Sequence, residues 1–245
     1  MINTVFGMTD IGMKRDRNED AFLLLPDKQL LIVSDGMGGH NAGELASNTA
    51  VKALELFFSK LLMPTLPENL VQEIMINAVL DANKMVYEKG LSEYRYSGMG
   101  CTLALAYINH NILHICNVGD SRVYLISKDT IQQLTTDQSV VMELVKKGLM
   151  SQEEARRSQL KNQLTQALGI KPTVIPEYLK HQVKKNDRVL LCTDGLWDKL
   201  IDNEIKKAVY TSRKLEMVCS RLIKLANNAG GDDNITVVVA KVTGS

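Results

Sequence analysis

The chain has 245 residues, 45% hydrophobic and 23% charged, which is enough apolar material for one large globular domain. Its 29 basic and 28 acidic residues leave a net charge of +1, so nothing in the balance favours a nucleic-acid or membrane-surface partner. Four cysteines (Cys101, Cys116, Cys192, Cys219) form no CxxC pair, and four histidines (His40, His110, His114, His181) lack metal-ligand spacing, which argues against zinc. With no apolar signal core and no long apolar span, the sequence reads as a soluble, cytoplasmic protein.

In chain order, Asp20–Leu25 and residues 29–34 read as strands separated by a Pro26-Asp27 turn signal. Residues 42–62 and 67–91 carry apolar side chains at helical spacing, with Pro67 suited to a first helical turn. Strands are expected at 102–109, 112–118, 122–127 and 130–134, the first two joined by a tight hairpin at His110-Asn111. The stretch 137–169 is polar and helical, with a capping-box spelling from Ser151 to Glu154. Strands return at 178–182 and 188–193. Asp202 reads as the cap of a short helix, Ser212 opens a longer one stopped by Gly230-Gly231, and 235–242 is a last strand. Hairpin-linked strands with paired helices predict an α+β protein built on antiparallel sheets, rather than a doubly wound parallel one.

Four carboxylates stand at or beside the ends of apolar stretches: Asp35 in LLIVSDGMGG, Asp120 in ICNVGDSR, Asp194 in LLCTDGLWD and Asp233 in GGDDNITVVV. Asn18-Glu19-Asp20 precedes a further apolar run. Each signal alone has an ordinary structural reading, since Asp-Gly is a common turn and Asp120 could cap a turn through Ser121 or Arg122. GMGG fits neither phosphate-binding glycine motif. Taken together, strand ends are where a sheet holds side chains rigidly, so the pattern predicts acidic groups converging on one spot. Bare carboxylates repel, at about 4 kcal/mol for a pair about 4 Å apart in an effective dielectric near 20. An all-oxygen cluster therefore calls for hard cations, Mg²⁺ or Mn²⁺.

The ordered set GMKRDRNED, VSDGMGGH, GMGCTLALA, NVGDSRVY, LLCTDGLWD and GGDDNITVVV resembles the metal-dependent protein phosphatases, also called protein phosphatase 2C, over nearly the whole chain. The GMGGH spelling is similar to the compact bacterial-type branch. The resemblance implies two packed antiparallel β-sheets forming a central sandwich flanked by helix pairs, as one catalytic domain over residues 1–245 with a flap at about 140–169. It implies that Asp35 bridges two Mn²⁺ or Mg²⁺ ions, that the Gly36 carbonyl ligates one, and that Asp194 and Asp233 complete the first ion's shell. Glu19 would hold waters on the second ion, and Asp20 would orient metal-bound water. Asp120 resembles the ligand of a third, weaker ion. The activity implied is hydrolysis of phosphoserine and phosphothreonine by water activated between the two ions, without a protein nucleophile.

An arginine is expected to grip the substrate phosphate with its planar fork, and the family spacing RxxNED implies that it is Arg15, with Arg17 the runner-up. Where eukaryotic members place a histidine after the bridging Asp-Gly, this chain has Met37, which leaves His40 or a metal-bound water as the proton donor. In the flap, Ser158-Gln159 and Lys161 replace a usual His-Pro pair and arginine. Trp197 is expected to pack under the metal loop, and Asp232 to belong to the loop rather than the site. The partners expected are phosphorylated proteins and a serine/threonine kinase acting on the same targets, with the enzyme a monomer. Alternatives are a non-catalytic, phosphatase-shaped binding module and a hydrolase of small phosphate esters.

Overall fold

Alternation along two strands shows how the layers form. In β3 (Leu30–Met37), Leu30 and Ile32 point one way and join a core with Leu54, Phe58, Met75 and Val79, while Leu31 and Val33 point the other way and join a core with Leu191, Val238 and Ala240. In β10 (Arg188–Cys192), Leu190 and Cys192 face Val218, Leu222 and Ala226, while Val189 and Leu191 face the β3 side. A period of two on two stacked sheets gives three apolar interfaces and hence four layers, helix–sheet–sheet–helix.

The structure is a computed structural model that describes residues 2–39, 42–61 and 66–243. One sheet has the order β1 (Ile2–Asp10), β11 (Ile235–Val242), β10, β7 (Arg122–Ile126) and β8 (Ile131–Gln133). The other has β2 (Asp20–Leu25), β3, β5 (Leu103–Asn109), β6 (Ile112–Val118) and β9 (Glu177–Gln182), with the short β4 (Gly100–Cys101) pairing beside the end of β3. Adjacent strands are antiparallel throughout. Helices α1 (Ala42–Ser59) and α2 (Glu68–Ser92) cover the second sheet. Helices α5 (Asp194–Trp197), α6 (Asp202–Val209) and α7 (Leu215–Asn228) lie on the first, and α3 (Val140–Lys146) and α4 (Gln152–Arg157) belong to the 140–169 segment. No described helix is long and apolar enough to cross a membrane.

The α+β expectation and its two packed antiparallel sheets are what the structure contains, and β2, β6 and β11 span the residues read from the sequence. The capping box is present: Ser151 Oγ accepts from the Glu154 N–H at 3.2 Å, and Glu154 Oε2 accepts from the Ser151 N–H at 2.8 Å. Other boundaries differ. Strand β1 was not anticipated. Its outward Phe6 and Met8 pack on the α7 side, but Gly7 interrupts the apolar pattern because the Phe22 ring presses against that position. Ile201, not Asp202, occupies the cap position of α6, where its N–H bonds Glu204 Oε2 at 3.0 Å. Ser212 makes a turn before α7, accepting from the Lys214 N–H, and the helix begins at Leu215. Pro67 is the cap residue of α2 rather than part of its first turn.

Leu191 is fully buried between the sheets. Replacing it with alanine is expected to cost about 2–5 kcal/mol through lost burial plus a cavity. A urea titration checks this: the midpoint should fall with little change in slope.

Candidate metal centre

Alternation continues past the apolar body of the inter-sheet layer. Inward positions on β2 run Leu24, Phe22, Asp20, and those on β3 run Leu31, Val33, Asp35. On β11 they run Ala240, Val238, Thr236, on β5 Ala106, Ala104 and then Thr102, and after β10 Thr193 follows Leu191. One end of a hydrophobic layer thus turns polar, and the carboxylates stand there. Asp20 and Asp35 are direct cross-strand partners, an arrangement that is destabilising when both are charged. Thr193 Oγ1 donates to Asp20 Oδ2 at 2.8 Å, and the Thr102 hydroxyl accepts from the Asp35 N–H at 2.9 Å.

The other groups come from strand ends and loops. Asp120 follows β6, Asp194 opens α5 immediately after Thr193, and Asp233 precedes β11. Glu19, Asp35, Asp120, Asp194 and Asp233 line one cavity of about 220 Å³ with Gly36, and among the described residues Arg15 is the only cationic side chain lining it. Asp20 lies beneath, buried. Gly36 is required by close approach: a Cβ there would collide with the carbonyls of Gly43 and Glu19. Its N–H donates to the Glu19 carbonyl at 3.1 Å, so Glu19 is held against the end of β3.

Electrostatics record the crowding. Burial pushes the Asp20 carboxyl up to about 7, against hydrogen bonds from Thr236 and Thr193. Asp35 is held well above the usual carboxylate range by burial and then by repulsion from Asp20, Asp194 and Asp120. Burial and Asp194 do the same to Asp120. Asp194 is pushed up to about 6 by burial and Asp233, tempered by a hydrogen bond with Asp35. Glu19 is raised by burial, with Arg15 opposing.

Asp20 Oδ1 and Asp194 Oδ1 are buried without a hydrogen-bond partner. Among the described residues, no three His, Cys, Asp or Glu side chains are already closed around one point as a metal cage. The carboxylates surround a shared space instead, and Asp233 is engaged elsewhere: its Oδ2 takes Arg15 Nη2 at 2.6 Å and its Oδ1 takes the Asn234 N–H at 2.8 Å. Orphaned buried oxygens, oxygen-only acidic donors and mutual repulsion fit hard divalent cations, which the cavity has room to hold with water.

Among the other residues singled out by sequence, Asp232 lies off the centre, drawn down to about 2 by Lys14 and Lys199. Asp120 is not a turn cap through its neighbours, because Ser121 bonds Thr102 at 2.6 Å and Arg122 takes both oxygens of Asp137 at 2.9 and 2.7 Å. Trp197 Nε1 donates to the Asp120 carbonyl at 3.1 Å. Met37 lines the cavity. His40 lies outside the described residues. The four cysteines are buried free thiols, raised by that burial and away from the cavity lining.

Sequence reading gives Asn234 a place after Asp233 but no role of its own. Its Oδ1 accepts from the Glu19 N–H at 2.8 Å, and its Nδ2 donates to the carbonyls of Ile11 at 3.0 Å and Arg17 at 2.8 Å. One buried amide therefore fastens the loop that carries Arg15 and Glu19 to the start of β11. The signal available was an Asn at a strand start, whose amide can bond two ways. Asn162 and Leu164, which complete the cavity wall, carried no such signal.

Metal-free protein is expected to lose stability as pH rises from about 4 to 7. With folded-state values raised to about 7 for Asp20 and about 6 for Asp194, the native state binds more protons than the unfolded one in that window. Thermal melts with chelator across pH should show this fall, and Mn²⁺ should reverse it most strongly at the upper end. Asn234→Ala is expected to destabilise by about 1–3 kcal/mol and to speed amide exchange in residues 11–19.

The sequence pattern described as Protein phosphatase 2C matches residues 6–235. Over 238 residues the chain is 35% identical to protein phosphatase PhpP of Streptococcus pneumoniae serotype 2, covering 96% of each. The crystal structure of serine/threonine phosphatase Stp1 from Staphylococcus aureus superposes with a TM-score of 0.93 at 34% identity, covering 100% of this chain and 96% of that one. The catalytic domain of serine threonine protein phosphatase PstP in complex with two manganese ions matches with a TM-score of 0.86 at 34% identity, over 98% of both chains. Matched along nearly its whole length in sequence and in fold, the chain belongs to the protein phosphatase 2C family of phosphoprotein phosphatases.

Proposed function

We propose that the chain, as a single catalytic domain, hydrolyses phosphoserine and phosphothreonine on proteins with two Mn²⁺ or Mg²⁺ ions. The observation that carries the reading is the cavity in which Glu19, Asp35, Asp120, Asp194 and Asp233 face one another with Arg15 alone to oppose them. Asp35, at the centre of the repulsion, would ligate the ions, with the Gly36 carbonyl beside it. Asp194 and Asp233 would hold one ion. Glu19, with Asp20 beneath, would order water at the other, and Asp120 would take a third, weaker ion. Bound there, the ions supply an ionised water as nucleophile and neutralise charge on the phosphoryl oxygens.

The chain's own part is positioning. Arg15 is tied to Asp233 at 2.6 Å and reaches the Asp232 carbonyl at 3.4 Å, so its guanidinium already lies at the cavity wall. Were Asp233 to ligate a cation, its hold on Arg15 would weaken, and the guanidinium fork would be free to take two phosphate oxygens. Asn234 keeps the loop in place meanwhile. Threonines at 193 and 102 fix Asp20 and Asp35 by hydrogen bonds that do not add charge. The partners of such an enzyme are phosphorylated proteins and a serine/threonine kinase with the same targets, and we place the enzyme in the cytoplasm as a monomer.

Release of nitrophenol from an aryl phosphate with Mn²⁺ tests the reading. Asp194→Ala should lower kcat roughly a hundred- to a thousandfold, and chelator should abolish turnover. Arg15→Ala should raise KM about tenfold or more while the Mn²⁺ dependence is kept. Manganese-independent turnover, or none, would defeat the proposal. Unchanged kinetics in Arg15→Ala would move the phosphate role to Arg17.

A further inference from the structure

Beside the carboxylate centre lies a second cavity, of about 280 Å³, whose apolar wall is formed by Val141 and Met142 of α3, Ala155 of α4, and Trp197, Leu200 and Ile201. Its floor is a paired couple, and Arg156, Lys161 and Lys199 are also among the lining residues. The Arg122 guanidinium lies over the Trp197 ring, 3.7 Å from its centroid, and binds both oxygens of Asp137, so the buried charge is paired and its face is presented flat. Ile201 is 54% exposed, a large apolar side chain at the rim. A cavity of this size with an apolar wall and a few fixed polar groups is built to take a side chain, not merely water.

Position says whose side chain. Lys161 and Asp198, joined at 2.5 Å, line this cavity and also a neighbouring one that contains Arg15, Asp194 and Asp233. Asn162, next to Lys161, lines that neighbouring cavity and the carboxylate cavity as well. Three hollows thus adjoin along one seam of the 140–169 segment. From Asp194 to Leu200 and Ile201 the chain runs six or seven residues, much of it helical, or about 10 Å at about 1.5 Å per residue. An extended peptide covers that distance in about three residues.

We propose that this cavity is a substrate subsite that takes one apolar side chain of a phosphoprotein, about two to four residues from the phosphoresidue. The subsite rests on the phosphatase reading above and adds to it a substrate class: phosphorylated segments with a leucine- or methionine-like residue near the modified position. The Arg122–Asp137 couple on the floor offers a charged side chain no free partner, and Arg156, Lys161 and Lys199 in the same lining disfavour a basic one.

The experiment compares phosphothreonine peptides that differ only in Leu or Gly at each position from two to four on either side. It uses the Mn²⁺-loaded wild type and two variants, with nitrophenyl phosphate as a substrate that has no side chain to insert. Ile201→Asp makes the rim acidic at an exposed helix cap position where Asp is favoured, so the fold is preserved. Met142→Trp fills the cavity from the other side. At one position the wild type should prefer Leu over Gly by about tenfold in kcat/KM, carried in KM. Both variants should erase that preference and leave nitrophenyl phosphate turnover unchanged. Equal hydrolysis of every Leu and Gly peptide by a wild type active on nitrophenyl phosphate would overturn the subsite alone, as would variants that retain the preference. A wild type inactive on all substrates would overturn the phosphatase reading and the subsite with it.

Discussion

Carboxylates that the fold forces together, with Arg15 on Asp233 as the one side-chain cation described among them, are the constraint from which the rest of the molecule follows. Asp20 and Asp35 sit opposite each other on neighbouring strands, and Asp194 stands within hydrogen-bond reach of Asp35. Burial, and after it mutual repulsion, raises Asp20, Asp35, Asp120 and Asp194 together. Such a cluster persists only where the surrounding scaffold over-determines it. Here the scaffold is the layer between two sheets, where Leu31, Val33, Leu191 and Val238 are fully buried within a few residues of the acids. Both sheets donate: Glu19, Asp20 and Asp35 come from one, Asp194 and Asp233 from the other, and Asp120 from the connection between β6 and β7. Cations at this seam would therefore join the sheets as well as serve chemistry, which links metal binding to folding.

Hydroxyls and one amide do the positioning that charged groups could not. Thr193 donates to Asp20 while also accepting from the Thr236 N–H at 3.0 Å, so a single side chain ties β2 to both β10 and β11. Thr102 accepts from the Asp35 N–H and is itself bonded to Ser121, which fixes the residue next to Asp120. Each bond is neutral on the scaffold side, so it orders a carboxylate without cancelling the negative potential that a divalent ion needs.

The sheets and the acidic cluster were legible in the sequence because both are written in local pattern: alternation of Leu30 to Val33, and Asp placed where the apolar run of each strand ends. Three strands were read to the residue because turn signals bracket them on both sides. Strand β1 was not legible, since Gly7 answers to the Phe22 ring of another strand rather than to anything nearby in the chain. The same holds for Asn234, whose three partners lie more than two hundred residues away in sequence. The pairing of Arg15 with Asp233 was equally unreadable, because a motif gives a residue's purpose but not the contact it makes in the absence of a ligand. Long-range pairing, not propensity, sets what sequence inspection loses.

The distribution of cations separates an acidic surface from a metal centre. Around the centre other carboxylates have basic partners: Asp232 has Lys14 and Lys199, Asp198 has Lys161 and Lys199, and the buried Asp137 has Arg122. Exposed pairs such as Lys14–Asp232 contribute little stability individually. Their effect is one of position, since each lysine held at the rim is a lysine not neutralising the centre. Among the described residues, Asp20, Asp35, Asp120 and Asp194 have no ion pair, although 29 basic residues are available in the chain. Lysine stems are long enough to reach several ångströms inward, so their retention at the rim is not a matter of reach. A surface selected only for stability would pair its most repulsive acids first. This chain pairs the outer ones and leaves the inner ones facing each other, which is the charge arrangement a doubly charged ion stabilises best.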